Sequence, residues 1–541
     1  MAPGEALGHF VYGVTWLAAV AALSLVGGSV LNRLLRRRDL RWTWALAGLP
    51  VAVVVHAFKP TWGFIVGGAC LFAAATGARW HRDEIELGVD FAERAERRLG
   101  VREAWRRSQA RQRVHRDGWI TGERLIVGED RKRLPVTIPI GSTSGRHTLV
   151  LGATGSGKTV TQAWIAGRLI EHGHGAIVID PKGDDLLRTE LHASADRASR
   201  GFLQWSPEGP CTYNPYGEGG ASEIADKALA GETFTEPHYL RQAQRYLGHA
   251  VRTLQLTEKA ATPRSLAEAM RPELLDALAR ELPEGAANPV HEYLDSLDER
   301  QKRDLKGVRD RLSILAESDL GPWLQPDPGH APIGLRQAVS ERAVVYFRLD
   351  ADRHPLAAQM LAGAIVSDLV TLVAARQKNP VSTLVVIDEF AAITAAQVAR
   401  LFGRARSAGI SLVLGTQELA DLKTARDGLR DQVLGNLDAL IAHRQNVPES
   451  AELIAAIAGT KPAWITTEQT DTAGVVRGAS GRGSRRRGYE FVLHPGEIKA
   501  LGVGEAAVLA PGSGAAPAIA RMHHPRRGES RLDVDPLPAA N

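Results

Sequence analysis

The sequence predicts an α/β protein: a parallel sheet, an all-α segment set into it, and an apolar N-terminal anchor. Three observations predict this. Apolar stretches fill most of the chain between His9 and Ala78. A glycine-rich segment, Gly152 to Thr159, follows a short apolar run and precedes residues with helical apolar spacing. From about Glu218 to Pro332 the pattern is helical, with strand-like runs on both sides.

Length and composition set the bounds. A chain of 541 residues is too long for one core, so several folded units are expected. With 44% hydrophobic and 23% charged residues, wholesale disorder is excluded. The net charge of +5 is small for this length, but the arginines are clustered. Two cysteines, Cys70 and Cys211, exclude a disulfide framework or a cysteine metal site.

The first apolar stretch, 9–31, is long enough to cross a bilayer. A second zone, Trp42 to Thr76, is broken by Lys59-Pro60 and reads as two spans, 42–58 and 61–78. Trp42, Trp44 and Trp62 suit the interfacial belt. Arg33, Arg36, Arg37, Arg38 and Arg41 lie between spans one and two, and Arg79 and Arg82 follow the last. Three spans put both clusters in the cytoplasm, as the positive-inside rule prefers, with Met1 outside. A signal peptide is the alternative for the first stretch, but no basic start or small-residue cleavage site is present. Residues 81–118 read as a charged juxtamembrane helix, a solvated stalk or a headgroup contact.

Leu149-Val-Leu151 leads into Gly152-Ala153-Thr154-Gly155-Ser156-Gly157-Lys158-Thr159, and the residues after it suit a helix. Strand, loop and helix are the context that a phosphate-binding loop requires. Its glycines let backbone N–H groups turn towards phosphate at the positive end of a helix. Lys158 would hold the β- and γ-phosphates of ATP, and Thr159 would ligate Mg²⁺. Leu384-Val-Val-Ile387 running into Asp388-Glu389 describes a buried strand ending in two carboxylates. Asp388 would hold Mg²⁺ through water, and Glu389 would orient the attacking water. A third strand, from Ser411, ends at Gln417, which could sense the γ-phosphate; a simple strand-end glutamine is the bland alternative.

The wide separation of Lys158 from Asp388 implies an insertion in the motor. Strands are expected at 175–180 and 343–349, and helices at 240–256, 265–282 and 290–315. The predicted units are therefore 1–80 (anchor), 81–118, 119–217 (first motor part), 218–332 (all-α insertion), 333–524 (second motor part) and a disordered tail, 525–541.

The sequence resembles the TraG/TraD/VirD4 family of conjugative coupling proteins, within the FtsK–HerA class of P-loop motors. The likeness rests on Arg146-His147, Gly152–Thr159, Ile179-Asp-Pro-Lys-Gly-Asp184, Asn214-Pro215, Ile387-Asp-Glu-Phe390 and the run Gly403 to Gln417. It implies a RecA-like ATPase domain, a homo-hexameric ring, and an inner-membrane location with the motor in the cytoplasm. It also implies relaxase and secretion-channel partners, and single-stranded DNA as cargo, held without sequence specificity. By position, Arg146 and Arg406 match the family's trans-acting arginines, with Arg404 a close competitor. The family commonly has two spans, whereas charge here favours three.

Gly474–Gly488 holds Arg477, Arg482, Arg485, Arg486 and Arg487 among Gly and Ser, and reads as a mobile basic loop able to meet DNA phosphates, or as a plain surface loop. Arg300, Lys302, Arg303, Lys306, Arg309 and Arg311 form a second basic candidate. Tyr489–His494 and Ala506–Ala510 are expected as the last strands of the sheet. Two other functions compete: a double-stranded DNA translocase of the FtsK type, and a docking receptor for protein substrates with little ATPase activity.

Overall fold

The computed structural model describes residues 3–37, 40, 42–87, 108–109, 118–141, 144–230, 236–393, 395–425, 427–473 and 476–525. Most of the charged juxtamembrane stretch and the tail from 526 onward lie outside the described residues. The chain divides into two compact units: 1–106 with 464–486, and 107–463 with 487–541.

In the first unit, helices span Pro3–Arg37, Leu49–Phe58 and Pro60–Leu87, with a 3₁₀ segment at Trp42–Gly48. The break falls at Lys59-Pro60, because proline cannot continue the preceding helix and serves well as a first helical residue. The first and last helices approach closely through small residues. A Cβ on Gly28 would lie 2.6 Å from the Ala69 carbonyl oxygen, and one on Gly68 would lie 2.6 Å from Ser24 Oγ. Asn32 donates to Thr76 Oγ1 at 3.1 Å across this contact. The outward faces carry exposed Leu17, Val26, Val53, Phe58, Trp62 and Phe64. Tyr12–Leu35 and Pro60–Arg79 are long and apolar enough to cross a membrane; 42–58 is a shorter apolar segment.

The second unit is built on a twelve-stranded sheet. Its strands are β1 (Ile120–Thr121), β2 (Arg124–Asp130), β3 (Pro135–Pro139), β4 (His147–Leu151), β5 (Gly175–Asp180), β6 (Phe202–Trp205), β7 (Val344–Arg348), β8 (Thr383–Ile387) and β9 (Ile410–Thr416). After these come β10 (Ala439–Ala442) and, beyond a separate hairpin of β11 (Thr460–Ala473) and β12 (Val476–Phe491), β13 (Glu505–Leu509) and β14 (Ala518–Met522). The order is β1-β2-β14-β13-β10-β4-β9-β8-β5-β7-β6, with β3 on β2. From β10 to β6 every pairing is parallel, while β13, β14 and β2 add antiparallel strands at one edge.

The strand sequences explain the layers. Leu149 and Leu151 enter one core and Val150 the other; Ile177 and Ile179 alternate with Ala176 and Val178 in the same way. A strand buried on both faces reads as a continuous apolar run, as a parallel sheet requires. The helix Pro355–Arg376 is apolar and long enough to span a membrane, but most of it is buried against the sheet.

Between β6 and β7 a helical insertion forms its own core around Tyr246, Leu247, Leu266 and Leu312. Two expected helices are each split. The 265–282 stretch is Pro263–Ala269 and Pro272–Ala279, since Pro272 has to start a helix. The 290–315 stretch is Glu284–Asp295 and Glu299–Glu317, the second begun by a capping box of Asp298 with Gln301. Lys227 and Tyr213 both meet Asp368 of the sheet-packing helix, at 2.7 and 2.6 Å, tying the insertion to the sheet layer.

Two expectations at the C-terminal end are corrected. The arginine-rich segment expected as a loop is strand for its described part, because 476–491 pairs with 460–473. Tyr489 to Phe491 end that hairpin strand rather than joining the large sheet, whose last two strands are β13 and β14.

Candidate functional site

β4 ends at Leu151, and the helix Lys158–Glu171 starts after six intervening residues. Gly155 and Gly157 have φ of +76° and +106°, so the turn needs residues without a Cβ. The loop is anchored from outside: the Gly152 N–H donates to Gln417 O at 3.1 Å, Ala153 N–H to Arg444 O at 3.3 Å, and Gly504 N–H to Ser156 O at 3.0 Å. Thr154 sits in this turn, and Thr159 is the second residue of the helix. The first-turn N–H groups of that helix have no intrahelical acceptor, and Ser156 Oγ is buried without a partner among the described residues. This cradle of unsatisfied donors fits phosphate oxygens.

Across the mouth of the loop, β8 delivers Asp388 and Glu389, with β9 alone between β4 and β8. Buried Lys158 Nζ lies 2.9 Å from Asp388 Oδ1 and 2.8 Å from Glu389 Oε1. Asp388 also accepts from Gln162 at 3.3 Å, and Gly415 leaves room for it: a Cβ there would lie 2.2 Å from Asp388 Oδ1. Gln417 donates to Glu389 at 3.3 Å. The expected Lys158, Asp388, Glu389 and Gln417 therefore converge at one sheet edge. Glu389 has a φ of +47°, a strained conformation for a residue with a side chain and of the kind that clusters at functional sites. Burial opposes ionisation of its carboxyl, but Lys158 and Lys182 outweigh this and hold it below the usual carboxylate range. Thr159 and Asp388 offer the hydroxyl and carboxylate that Mg²⁺ takes.

Lys182 belongs to this cluster, with Nζ 3.0 Å from Glu389 Oε1. Lys182 lies in the Ile179–Asp184 segment, to which the sequence alone assigns no role in the site. The sequence shows only a lysine two residues past an apolar strand, 175–180; that this strand lies beside β8 emerges from the fold. His443, just past β10, also supports the loop from beneath. Its ring meets Thr161 Oγ1 at 2.9 Å and Glu505 O at 3.0 Å, and burial pushes it down to about 4, so it is neutral.

Arg146 and Arg406 lie elsewhere. Both bind Asp438, Arg146 at 3.0 Å on one oxygen and Arg406 at 2.9 Å on the other. Asp438 is fixed by the His147 N–H at 2.8 Å, just before β10 begins. This is the end of the sheet where β4 and β9 start, opposite the glycine-rich loop. Arg404 lies in the last turn of the helix Ala395–Ala405, and no ion pair to it is present among the described residues.

Of the second basic candidate, Arg300 and Lys302 are on the surface, with Lys302 paired to Glu299 at 2.9 Å. Arg311 is half-buried and donates to Ala230 O at 2.7 Å, which makes it a tie within the insertion. In the hairpin, Arg486 and Arg487 are exposed, while the side chains of Arg477, Arg482 and Arg485 lie outside the described residues.

A parallel sheet with a glycine-rich loop at its carboxyl edge, two carboxylates one strand away and an all-α insertion defines a RecA-like P-loop motor. A family model described as the type IV secretion-system coupling protein DNA-binding domain matches residues 134–520, and the chain belongs to that family. No curated protein matches. Among solved structures, the unbound bacterial conjugative coupling protein TrwBdeltaN70 is 18% identical with a TM-score of 0.55, over 76% of this chain and 91% of that one. Plasmid coupling protein TrwB in complex with ADP and Mg²⁺ gives 18%, 0.54, 76% and 92%. VirB4 of Thermoanaerobacter pseudethanolicus gives 14%, 0.50, 76% and 99%. At these identities the likeness is one of fold.

Proposed function

We propose that this chain is a membrane-anchored ATP hydrolase that moves single-stranded DNA, delivered with a relaxase, towards a type IV secretion channel. The observation that carries it is the meeting of Lys158, Asp388, Glu389 and Gln417 around the glycine-rich loop. Gly152 to Thr159 would wrap the phosphates, with Lys158 supplying charge to the β- and γ-groups. Thr159, and Asp388 through water, would hold Mg²⁺, which when bound neutralises phosphate charge. Glu389, kept ionised, would orient the attacking water, and Gln417 would report the outcome along β9.

Arg146 and Arg406 are a strand length from their own loop. We read them as completing the site of an adjacent subunit in a ring, expected to be a homo-hexamer. A planar guanidinium suits the charge of the transition state better than a lysine does. The solved TrwB complex with ADP and Mg²⁺ supports the nucleotide reading by likeness of fold. The apolar helices and the arginines that flank them support a multi-pass anchor of three spans in the inner membrane, with the motor in the cytoplasm. The units 119–217 and 333–524 would form the motor and 218–332 the insertion.

The test is ATP turnover by the full-length chain in lipid nanodiscs with single-stranded DNA, duplex DNA or neither. Stimulation by single strands supports the reading. Stimulation by duplex alone would make it a double-strand translocase, and none by either would make it a docking receptor.

A further inference from the structure

We propose that Lys182 is a positioning residue for Glu389, the cation that holds this carboxylate in place once Lys158 engages the phosphates. The inference rests on the reading of Glu389 as the water-orienting group.

The loop that carries Lys182 is fixed by contacts unrelated to phosphate. The Asp180 carboxylate accepts the N–H groups of Lys182, Gly183 and Asp184 at 3.0, 2.8 and 2.7 Å, and the Tyr346 hydroxyl at 2.7 Å. Asp184 caps the next helix through the N–H groups of Leu186 and Leu187. Gly183 has a φ of +78°, and a Cβ on it would come within 2.8 Å of Arg348. The backbone from 180 to 184 is thus set before Lys182 contributes anything, and among the described residues its long side chain reaches back to one acceptor, Glu389 Oε1.

Glu389 depends on such a contact. Among the described residues its carboxylate has three hydrogen-bond donors, Lys158, Lys182 and Gln417, all on the same oxygen. Lys158 has three N–H groups and already meets both Asp388 and Glu389. Contacts to a β- and a γ-phosphate would leave it one, so it cannot keep both carboxylates. Gln417 is neutral and at the long end of hydrogen-bond range. Lys182, half-exposed and hydrogen-bonded to Glu389 rather than to Asp388, is the charge that can stay on Glu389.

The experiment uses the full-length chain in nanodiscs and compares wild type, K182Q, K182R, E389Q and the K182Q/E389Q double variant. Readouts are kcat and KM for ATP with Mg²⁺, affinity for a fluorescent ATP analogue, and thermal melting. We expect K182Q to lose about tenfold or more in kcat with KM and analogue affinity nearly unchanged. K182R should restore most of the loss, and K182Q should cost nothing further in the E389Q background, because the two residues act as one unit. Wild-type kcat in K182Q, a loss that Arg does not rescue, or a further loss on top of E389Q would each overturn the proposal. Wild-type turnover by E389Q would instead overturn the reading of Glu389 on which it rests.

Discussion

The Arg406 guanidinium meets Asp438 at 2.9 Å at the opposite end of the sheet from Lys158. Five residues of β4 separate those ends, roughly 17 Å of extended chain, so Arg406 cannot reach its own subunit's loop. A K158A subunit and an R406A subunit should therefore have complementary defects. Each is expected to be inactive alone, with R406A still binding ATP, and mixed assemblies to recover turnover. Mixtures that stay inactive, or R406A with normal DNA-stimulated turnover, would contradict a trans role.

Asp438 holds both arginines and the His147 N–H, with its side chain only 10% exposed. D438A leaves Arg146 and the His147 N–H without this acceptor and leaves Arg406 only the Asn436 carbonyl, and is expected to cost about 1–3 kcal/mol, read as a lower melting temperature. Turnover should fall as well, because both arginines lose their orientation. R146A alone should cost less, as it leaves Arg406 on the carboxylate.

Acid should destabilise the motor through its buried histidines, His147 and His443 among them. Burial, reinforced by Arg406 for His147 and by Lys158 for His443, pushes both from 6.5 to about 4. The unfolded chain then binds more protons than the folded one between those values, so stability is highest above 6.5 and falls with pH. Each shift corresponds to on the order of 3 kcal/mol once pH reaches 4. Denaturant unfolding at several pH values checks this, and H443Q should flatten part of the slope.

Gly157 has a φ of +106°, and an added Cβ would stand 3.3 Å from the Gly504 backbone. G157A is therefore expected to cost at least ~1 kcal/mol and to weaken ATP binding more than it weakens folding. Calorimetric titration with a non-hydrolysable analogue, beside a thermal melt, separates the two effects.

The legible parts of this molecule were those whose chemistry is local. Gly152 to Thr159 and Leu384 to Glu389 carry strand, turn and charge in consecutive residues, and the helical spacing of 218–332 marks the insertion. Asp438 escaped notice because its importance lies in two arginines 32 and 292 residues away. Lys182 escaped because its partner is 207 residues on, across a sheet pairing that no short-range pattern encodes. Residues 474–488 read as a loop because Gly, Ser and Arg carry little strand propensity; the strand there comes from pairing rather than composition. The helix Pro355–Arg376 teaches the converse, since apolar length alone does not separate a core helix from a membrane span.

Phosphate release from ATP by the full-length chain in nanodiscs, compared across wild type, K158A and E389Q with ATP binding measured in parallel, tests the central claim most directly. The account predicts turnover by wild type, loss of both binding and turnover in K158A, and retained binding with turnover cut to a small but measurable residue in E389Q. Wild-type turnover by E389Q, or no hydrolysis by the wild-type chain with or without DNA, would contradict it.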